Sequence, residues 1–541
     1  METDVTALSA GLPAELTAWP SLAPDESQLA DLELLLSGAF APLRGFMSDA
    51  DARAVERDGR LADGTPFPCT VTLDLPPGSV PQDAATLVLE DPEGAPLAVM
   101  QITERVHQGP DQLERLAGPV RALRALEHGP FRRLRRGPGD TRAELADRQA
   151  GAERPVLACL TRGPLHRREL GQLRHLAGGM RARLLVMPLA AGSADLVTRP
   201  EALVRSVLAA VPHLPQDTLV VPVPLARRGE EGTRAELAAR ALVAAAYGAT
   251  HMLGTGVDPR GLAVGATREM GSMDAVTASV PGAPIPVVMP GEWAFDQAAE
   301  VWRPMARIEP SARQPALSPA DLTTLLERGE EIPDWFTPAA VARELRAARP
   351  PRRKRGLVIF FTGLSGSGKS TLARDLADAL AERGDRTVSL LDGDLIRRLL
   401  SAGLTFSRAD RDLNIARIGF VAAEAARHGG IAICAPIAPY AAARARVREM
   451  VAETGDFLLV YLATPLETCE ARDRKGLYAK ARAGAITGFT GISDPYEVPH
   501  DADLVIDTSA LSRQDAVAAV VQLLTSGGWL IAERGRRHDT A

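Results

Sequence analysis

A glycine-rich segment in the C-terminal third of the chain carries the clearest chemistry. Residues 363–371 read Gly-Leu-Ser-Gly-Ser-Gly-Lys-Ser-Thr and fit the phosphate-binding pattern G-x-x-x-x-G-K-[ST]. Such glycines free the backbone N–H groups to point at one anion, the Lys369 ammonium fits between the β- and γ-phosphates, and the Ser370 hydroxyl can bind Mg²⁺. The segment therefore predicts a site for a nucleoside triphosphate with Mg²⁺. The binding residues are Gly363, Ser365, Gly366, Ser367, Gly368, Lys369, Ser370 and Thr371.

Lysine is scarce in this chain, which makes its positions informative. Of 62 Lys and Arg residues only four are lysines, at positions 354, 369, 475 and 480. A compact ammonium and a broad planar guanidinium are not interchangeable at a phosphate. We therefore expect Lys475 and Lys480, like Lys369, to lie in segments that handle phosphate.

A second polar group follows a short apolar run at 387–391. It consists of Asp392, Gly393 and Asp394, with Arg397 one helical turn further on. If the run is a strand of a parallel sheet, its carboxyl end faces the phosphate loop. One aspartate would then orient Mg²⁺, and the other would accept a proton from an attacking hydroxyl. The residues alone leave open which aspartate is the base, and an exposed Asp-Gly turn is the alternative.

Strands and helices in alternation must position these groups. The run 357–361 predicts a strand, the glycine segment a loop, and residues 370–383 a helix. Further apolar runs at 387–391, 431–434, 457–462 and 504–506 indicate a parallel sheet covered on both faces. We assign residues 356–535 to this P-loop kinase domain.

The preceding residues predict further domains of a different kind. Runs at 156–160, 184–187, 219–223 and 251–253, with a helical pattern at 234–247, indicate a Rossmann-like α/β domain over 151–346. Residues 1–150 have shorter runs, such as 70–75 and 97–102, and indicate a small β-rich domain. Residues 347–355 combine two prolines with several cations, so we expect a solvated linker that contributes nothing to a core.

Composition excludes several classes of function. The net charge of −6 argues against nucleic acid as the main partner. No apolar run reaches 18 residues and the N-terminus lacks a secretion signal, so we expect a cytoplasmic protein without a membrane partner. The cysteines stand far apart, which favours buried thiols over a zinc site or disulfides. They are Cys69, Cys159, Cys434 and Cys469.

Residues 356–510 resemble adenylylsulfate kinase, the enzyme family that uses ATP to phosphorylate the 3′-hydroxyl of adenosine 5′-phosphosulfate. The resemblance rests on ordered segments rather than on the phosphate loop alone. They are the loop itself, residues 392–397, 406–415, 464–473, and 475–478 leading to 488–492. The resemblance implies a phosphotransferase that makes 3′-phosphoadenylylsulfate in sulfate assimilation, with ATP and adenylylsulfate as its small-molecule partners.

The same resemblance implies roles for individual residues. Phe406 and Phe489 would hold the substrate adenine between their rings, and stacking suits a flat base. Arginines and an asparagine would grip the phosphosulfate, since guanidinium forks match tetrahedral anions. Residues 472–489 resemble a lid that carries Lys475 and Lys480. The implied substrate-binding set is Phe406, Arg411, Asn414, Arg417, Ile437, Lys475 and Phe489, and the catalytic set is Lys369, Asp392, Asp394 and Arg397, with Ser370 and Asp392 as the metal ligands.

Two positions depart from the family pattern. Ala438 precedes Pro439 and Tyr440 where many members have serine, so a phosphoserine at that position is excluded. Direct in-line transfer needs no such serine. Ala416 follows Asn414 and Ile415 where an arginine is common, so Arg417 must contribute more to substrate binding.

The first 346 residues resemble ATP sulfurylase (sulfate adenylyltransferase). The resemblance rests on residues 31–47, which include Leu-Ser-Gly-Ala-Phe, and on Ile-Pro-Asp-Trp-Phe at 332–336. It implies a PUA-like N-terminal domain followed by a nucleotidyltransferase-type α/β domain. The order sulfurylase then kinase occurs in fused bifunctional enzymes, and we expect a homo-oligomer.

The catalytic motifs of this half are altered. The family pattern Q-x-R-N-P-x-H-x-x-H stands here as Leu-Thr-Arg-Gly-Pro-Leu-His-Arg-Arg-Glu at 160–169, so Arg162 and His166 remain while Glu169 replaces a histidine. The pattern G-R-D-H-A-G is replaced by Gly-Thr-Gly-Val-Asp-Pro at 254–259. Losing donors at both motifs removes roughly several kcal/mol of transition-state stabilisation. We therefore predict an inactive sulfurylase half. The alternatives are that both halves are active, or that the first half is an assembly or regulatory module.

Overall fold

The computed structural model of this 541-residue chain describes most of its length in two compact units. The described residues are 16, 18–107, 113–124, 131–147, 154–191, 199–228, 233–254, 275–405, 407–473, 475–486 and 488–531, without the side chain of Asp394. The first unit holds the described residues up to 318 and those at 332–345. The second holds residues 319–331 and the described residues from 346 onward.

The first unit begins with a mostly antiparallel sheet. Its strand order is β1-β4-β5-β7-β2, β3 and β6 also pair with β7, and only β1 and β4 run parallel. The β-rich prediction for this region is confirmed. The elements are β1 (Ser21–Leu22), α1 (Glu26–Leu36), β2 (Gly45–Phe46), α2 (Asp49–Asp58), β3 (Leu73–Leu75), β4 (Thr86–Glu90), β5 (Pro96–Gln101), β6 (Glu104–His107) and β7 (Glu114–Ala122).

An α/β region follows in the same unit. Its sheet has the order β10-β9-β8-β11-β13-β12, and every pair is parallel except β12 with β13. The predicted alternation of strands and helices is confirmed. The elements are α3 (Pro138–Asp147), β8 (Val156–Thr161), α4 (Arg167–Met180), β9 (Arg183–Pro188), α5 (Pro200–Ala210), β10 (Leu219–Val220), α6 (Arg234–Ala246), β11 (His251–Leu253), β12 (Ala275–Ala278) and β13 (Val287–Pro290).

A small antiparallel sheet closes the first unit. Its order is β15-β14-β16, and its aromatic residues pack on Trp335, whose carbonyl accepts a 2.7 Å hydrogen bond from Trp302 Nε1. The elements are β14 (Trp293–Asp296), β15 (Val301–Pro304) and β16 (Arg313–Gln314), followed by α7 (Pro319–Arg328) in the second unit and by α8 (Ala339–Ala348), most of which lies in the first. Short 3₁₀ helices span Val211–His213, Met305–Arg307 and Pro310–Ala312.

The second unit is built on a parallel sheet with the order β18-β19-β17-β20-β21. Each predicted strand is confirmed within two residues, and the predicted helix after the glycine loop begins one residue early, at Lys369. The elements are β17 (Leu357–Gly363), α9 (Lys369–Arg383), β18 (Val388–Asp392), α10 (Gly393–Leu399), α11 (Arg408–Arg427), β19 (Ile431–Ala435), α12 (Ala441–Ala452), β20 (Asp456–Leu462), α13 (Leu466–Arg472), α14 (Leu477–Arg482), β21 (Leu504–Ile506) and α15 (Arg513–Ser526).

Strand β17 shows why the run 357–361 is continuously apolar. Successive side chains of a strand point to opposite faces of the sheet. Leu357, Ile359 and Phe361 pack in one buried cluster with residues of α9 and α15. Val358 and Phe360 pack in another with residues of α11 and α12. Both faces are therefore covered, as predicted. In the described part of the chain no helix is both long and apolar enough to cross a bilayer.

The expectation that residues 347–355 contribute nothing to a core is wrong for Arg355. This residue is 2% exposed, and its Nη1 lies 2.9 Å from Asp456 Oδ1. Asp456 Oδ2 in turn accepts a 2.7 Å hydrogen bond from Trp529 Nε1. Arg352 places its guanidinium 4.9 Å from the Trp529 ring centroid. A guanidinium can be buried when its N–H groups find acceptors, so this basic segment is part of the second unit's fold.

Replacing the buried guanidinium should destabilise the second unit. In Arg355→Ala the Asp456 carboxylate loses its cationic partner inside the protein, and removing one member of a buried ion pair costs about 3 kcal/mol. We expect this unit to unfold at a lower denaturant concentration, with its unfolding monitored by the fluorescence of Trp529. Arg353→Ala, at an exposed position two residues away, is the matched control and should leave the midpoint unchanged. Equal stability of the two variants would contradict the structural role of Arg355.

Candidate functional site

The glycine loop leaves the sheet at the carboxyl end of its central strand. β17 ends at Gly363 between β19 and β20. Gly366 has a φ of +77°, and a Cβ there would lie 2.8 Å from the Cys469 carbonyl oxygen. A Cβ on Gly363 would lie 2.7 Å from the Leu462 carbonyl oxygen. Both positions therefore require glycine, because the loop passes against neighbouring backbone. The loop then enters α9 at Lys369, so the positive end of that helix faces the loop.

Side chains from other strand ends hold the loop in place. The Ser367 carbonyl accepts hydrogen bonds from Thr464 Oγ1 at 3.2 Å and Thr508 Oγ1 at 2.9 Å. Tyr478 OH donates to the Ser365 carbonyl at 2.8 Å. The carbonyls of Ser365 and Ser367 are thus turned toward the protein, while the Ser367 N–H donates to the Leu364 carbonyl at 3.2 Å within the loop.

Arg472 is part of the same frame. Its Nη1 donates to Thr508 Oγ1 at 2.7 Å, and its Nη2 donates to the Thr508 carbonyl at 2.9 Å. No individual role was predicted from the sequence for Thr464 or Thr508, and Arg472 and Tyr478 were expected only as parts of the 472–489 lid segment. The sequence did contain a signal for Thr464 and Thr508. Each lies two residues beyond a strand, at the carboxyl edge where parallel sheets bind ligands.

Lys369 lies buried beneath the loop. Its Nζ donates to the Gly363 carbonyl at 2.9 Å and to the Leu364 carbonyl at 2.6 Å, and it lies 3.4 Å from Ser367 Oγ. Neutral carbonyls satisfy the N–H groups of the ammonium without neutralising its charge. A bound phosphate would be attracted to this charge and could accept a charge-assisted hydrogen bond from it.

The predicted carboxylate lies at the same edge of the sheet. Asp392 is the last residue of β18 and pairs in register with Ala435 of β19. The next residues form α10, which contains Asp394 and Arg397. Arg397 Nη1 lies 3.4 Å from the Thr405 carbonyl, a long hydrogen bond. The structure places Asp392 at the same edge of the sheet as the glycine loop. The side chain of Asp394 lies outside the described part, so its role stays a prediction.

Helix α11 carries two residues of the predicted substrate set toward one network. Arg411 Nη1 donates to Asp494 Oδ2 at 2.8 Å and to Thr490 Oγ1 at 3.1 Å, and its Nη2 contacts the Gly488 carbonyl. Tyr440 OH also donates to Asp494 Oδ2, at 2.9 Å. Asn414, one turn after Arg411, is buried, and its Oδ1 has no hydrogen-bond partner among the described residues. A buried amide oxygen without a partner is rare and is typical of a ligand site.

The remaining predicted substrate residues are spread around this network. The half-buried Phe489 meets Tyr478 edge to face, with 5.0 Å between ring centroids. The carbonyl of Ile437, just past β19, accepts a 2.7 Å hydrogen bond from Thr362 Oγ1. Arg417 Nη1 donates to the Leu400 carbonyl at 2.8 Å. Lys475 and Lys480 are exposed, on either side of the start of α14. Phe406 lies outside the described residues.

The oxygen donors at this edge fit Mg²⁺ with a nucleotide. Magnesium in phosphotransfer sites keeps several waters and takes one or two protein ligands together with phosphate oxygens. Ser370 lies in the first turn of α9 and Asp392 at the end of β18, and both are partly exposed. The described residues include no group of three or more His, Cys, Asp or Glu that could hold a metal without a nucleotide. Ser370 and Asp392 could hold such a metal together with phosphate oxygens and water.

The altered motif of the first unit has a structural use in this fold. Glu169 Oε2 accepts a 3.1 Å hydrogen bond from the backbone N–H of His166 and completes a capping box at the start of α4. The His166 ring stacks on Phe336 with 4.3 Å between centroids, and its Nδ1 contacts Thr337 Oγ1. Burial lowers the pKa of His166, which keeps the imidazole neutral. Arg162 Nη2 donates to the Leu225 carbonyl at 3.0 Å. Of the second altered motif only Gly254 is described; residues 255–259 lie outside the described part.

Family comparisons divide the chain into three successive regions. The PUA-like domain matches residues 5–116, ATP-sulfurylase matches 132–348, and adenylylsulphate kinase matches 355–507. These matches occur in the order expected from the sequence.

Relatives with the same arrangement cover nearly the whole chain. A sulfate adenylyltransferase from Phaeosphaeria nodorum is 36% identical over 96% of this chain and 95% of its own length. One from Mycosarcoma maydis is 35% identical over 96% of each. Among solved structures, a hexameric APS kinase from Thiobacillus denitrificans is 33% identical and covers 95% of both chains with a TM-score of 0.72.

A methyl group on the loop should impair nucleotide binding. In Gly366→Ala the new Cβ would meet the Cys469 carbonyl and displace the loop. We expect the ATP affinity, measured by isothermal titration calorimetry, to fall by about tenfold or more, which corresponds to roughly 1.4 kcal/mol. Gly384→Ala is the matched control, because Gly384 has a similar φ of +69° but no neighbour within 4 Å of its Cβ position. Both variants carry the strain of a left-handed alanine, so equal losses of affinity would show that the contact with Cys469 is irrelevant.

Proposed function

Since this chain belongs to the sulfate adenylyltransferase family and ends in an adenylylsulfate kinase domain, we propose that it acts as an ATP-dependent adenylylsulfate kinase with a catalytically inactive sulfurylase unit. The kinase domain supports synthesis of 3′-phosphoadenylylsulfate in sulfate assimilation. The proposed substrates are ATP and adenosine 5′-phosphosulfate.

One observation carries the kinase proposal. The carboxyl edge of a single parallel sheet presents the framed glycine loop with Lys369 and the carboxylate of Asp392, and α11 packs on the same sheet with Asn414. The loop suits the phosphates of one nucleotide. The unpartnered Asn414 Oδ1, beside the Arg411 network, suits polar groups of a second ligand.

The residues then support direct in-line transfer. The 3′-oxygen of adenylylsulfate forms a bond to the γ-phosphorus of ATP while the bond from that phosphorus to the β–γ bridging oxygen breaks and ADP leaves. A carboxylate at the end of β18, Asp392 or Asp394, accepts the proton of the 3′-hydroxyl. Lys369 and the N-terminus of α9 stabilise the charge that shifts toward ADP. Mg²⁺ held by Ser370 and Asp392, when bound, would neutralise charge on the phosphates.

Substrate positioning falls to residues on α11 and in the 472–489 segment. Arg411, Asn414 and Arg417 are proposed to bind the phosphosulfate with Arg397, and Phe489 to stack on the adenine together with Phe406. Closure of the 472–489 segment would bring Lys475 and Lys480 toward the phosphates. Arg472, Thr464 and Thr508 serve as positioning residues, since they contact carbonyls of the loop.

The contacts of the altered motif support an inactive sulfurylase unit. Glu169 caps α4 and cannot donate a hydrogen bond to a phosphate while ionised. Burial lowers the pKa of His166, whose ring packs on Phe336 and contacts Thr337. These side chains stabilise the start of a helix. A carboxylate next to a triphosphate would add repulsion where the family pattern has an imidazole.

Particular observations favour two other functions for the first unit. The names of the relatives, together with the retained Arg162 and His166, favour an enzyme with both activities. The named hexameric relative of similar length favours an assembly role, and we propose that this chain also forms a homo-oligomer. A regulatory role toward the kinase is compatible with either reading.

The kinase proposal predicts a product and a residue on which it depends. Purified protein with ATP, Mg²⁺ and adenylylsulfate should release ADP and 3′-phosphoadenylylsulfate, measured by coupled assay and chromatography. Lys369→Ala should lower kcat/KM by about 100-fold or more, because a buried cation at the transferred phosphate is lost. Lys354→Ala, at an exposed site before β17, should retain full activity. No ADP formation that depends on adenylylsulfate would refute the proposal.

The proposed loss of sulfurylase activity has its own assay. Protein incubated with ATP, Mg²⁺ and sulfate should release no pyrophosphate above the level seen without sulfate. The variant Lys369→Ala serves as background, because it removes consumption of adenylylsulfate by the kinase. The double change Glu169→His with Leu160→Gln restores two family donors and tests whether the first motif alone limits activity. If the unaltered chain releases pyrophosphate in a sulfate-dependent way, both halves of the chain are active and the proposed loss of sulfurylase activity is wrong.

A further inference from the structure

Thr362, the residue directly before the glycine loop, contacts segments that are distant in the sequence. It is fully buried and next to last in β17. Its Oγ1 lies 2.7 Å from the Ile437 carbonyl oxygen, 3.3 Å from the Ala438 carbonyl oxygen and 2.8 Å from Tyr496 OH. Ile437 and Ala438 belong to residues 436–440, which join β19 to α12 and which we call the crossing segment. Thr362 therefore joins the base of the loop to the crossing segment.

The direction of these hydrogen bonds follows from the groups involved. A threonine hydroxyl has one hydrogen to donate, and a carbonyl oxygen can only accept. Thr362 therefore donates to the crossing segment and accepts from the Tyr496 phenol. Burial raises the pKa of Tyr496 to about 12, so the phenol keeps its proton and can donate it. Tyr496, Thr362 and the Ile437 carbonyl thus form a chain of hydrogen bonds in which each member polarises the next.

The crossing segment has a backbone conformation that its surroundings must hold. Ala438 has a φ of +46°, in the left-handed region that a residue with a Cβ rarely adopts. Its carbonyl accepts a 2.8 Å hydrogen bond from Nη1 of the buried Arg444, whose Nη2 donates to the Glu497 carbonyl at 2.8 Å. Thr362 holds the preceding residue, Ile437, by its carbonyl. Two buried side chains, those of Thr362 and Arg444, therefore fix the path of this segment.

The crossing segment lies between the two halves of the proposed kinase site. It continues from β19, which runs between β17, the strand that leads into the glycine loop, and β18, the strand that ends in the predicted carboxylate. The Ile437 carbonyl also accepts a 3.4 Å hydrogen bond from the N–H of Gly363, the first residue of the loop. At the end of the segment, Tyr440 OH donates to Asp494, which also accepts from Arg411. A shift of the segment would therefore move the substrate network relative to the nucleotide.

We propose that Thr362 is a positioning residue for adenylylsulfate: its hydrogen bond to the Ile437 carbonyl fixes the crossing segment and thereby the place of this substrate relative to the γ-phosphate of ATP. This role rests on the proposed kinase function. From its place directly before the glycine loop, Thr362 would be expected to serve ATP binding instead. The carbonyls of the loop, however, are held by Thr464, Thr508 and Tyr478. Loss of the Thr362 hydroxyl should therefore leave the ATP site intact.

Removal of the hydroxyl without a change of shape should separate the two substrates. Thr362→Val keeps the volume and the branched Cβ, but it leaves the Ile437 carbonyl and Tyr496 OH without this partner. We expect the KM for adenylylsulfate to rise by about tenfold, the scale of one buried hydrogen bond. The ATP affinity, measured by isothermal titration calorimetry, should change by less than about twofold. Thr362→Ser restores the hydroxyl and should bring the KM back toward that of the unaltered chain.

Thr454→Val is the matched control for this substitution. Thr454 is another buried threonine of the second unit, and its Oγ1 donates to the Val451 carbonyl at 3.1 Å. It lies just before the start of β20, at the opposite edge of the sheet from the glycine loop, so its substitution should leave both constants unchanged. An unchanged KM for adenylylsulfate in Thr362→Val, or an equal loss of ATP affinity in that variant, would overturn the proposed role.

A double-mutant cycle tests the chain of hydrogen bonds itself. Tyr496→Phe removes the phenol donor and should raise the KM for adenylylsulfate by only about threefold, because Thr362 still donates to the crossing segment. If Tyr496 acts through Thr362, the variant with both Thr362→Val and Tyr496→Phe should have the same KM as Thr362→Val alone. A KM raised by the product of the two single effects would show that the residues act independently, and would contradict the chain.

The kinase proposal and the role of Thr362 fail in different ways. If the unaltered chain forms no ADP that depends on adenylylsulfate, the kinase proposal is refuted and the role of Thr362 falls with it. If the unaltered chain is active and Thr362→Val has the same constants, only the role of Thr362 is refuted.

Discussion

The close approach of a glycine loop to neighbouring backbone is the constraint on which the second unit depends. Gly363 and Gly366 pass so near the Leu462 and Cys469 carbonyls that no side chain fits. β17 lies inside the sheet beside β20, which ends at Leu462, and the Cys469 carbonyl belongs to α13, the helix that follows β20. A central strand in turn requires apolar residues on both faces, which explains the uninterrupted run at 357–361. The path of the glycine loop and the packing of the core on both faces of the sheet therefore depend on the same strand, β17.

The sequence predicted the parts of this arrangement that depend on local pattern. Apolar runs located the strands, and the spacing of glycines and Lys369 located the loop. The hydrogen bonds that hold the loop could not be predicted from local sequence. Ser367 and Thr508 are 141 residues apart, and their hydrogen bond exists only once the sheet has formed. Arg355 illustrates the same limit. A run of cations indicates solvent exposure, yet Asp456, 101 residues later, gives this guanidinium a buried partner.

The substrate side of the site was predicted from resemblance, and its physical basis differs from that of the loop. Arg411 is held by Asp494, Thr490 and the Gly488 carbonyl, whereas the Oδ1 of Asn414 has no partner among the described residues. Both residues are proposed to bind the substrate, but Arg411 already donates to acceptors of the protein, whereas the Asn414 amide oxygen accepts from none of the described residues. Residue type alone does not show this difference, because both are polar residues on one helix. It depends on partners that are distant in sequence.

The altered motif residues of the first unit take part in its fold. The strands of its α/β sheet are held by apolar packing and backbone pairing, and Leu160 of the altered motif takes part in both, because it is buried in the core and pairs with Met187 of β9. Glutamate at position 169 even contributes to the fold, because its carboxylate accepts the His166 N–H at the start of α4. A carboxylate where the family pattern has an imidazole can thus favour the start of this helix.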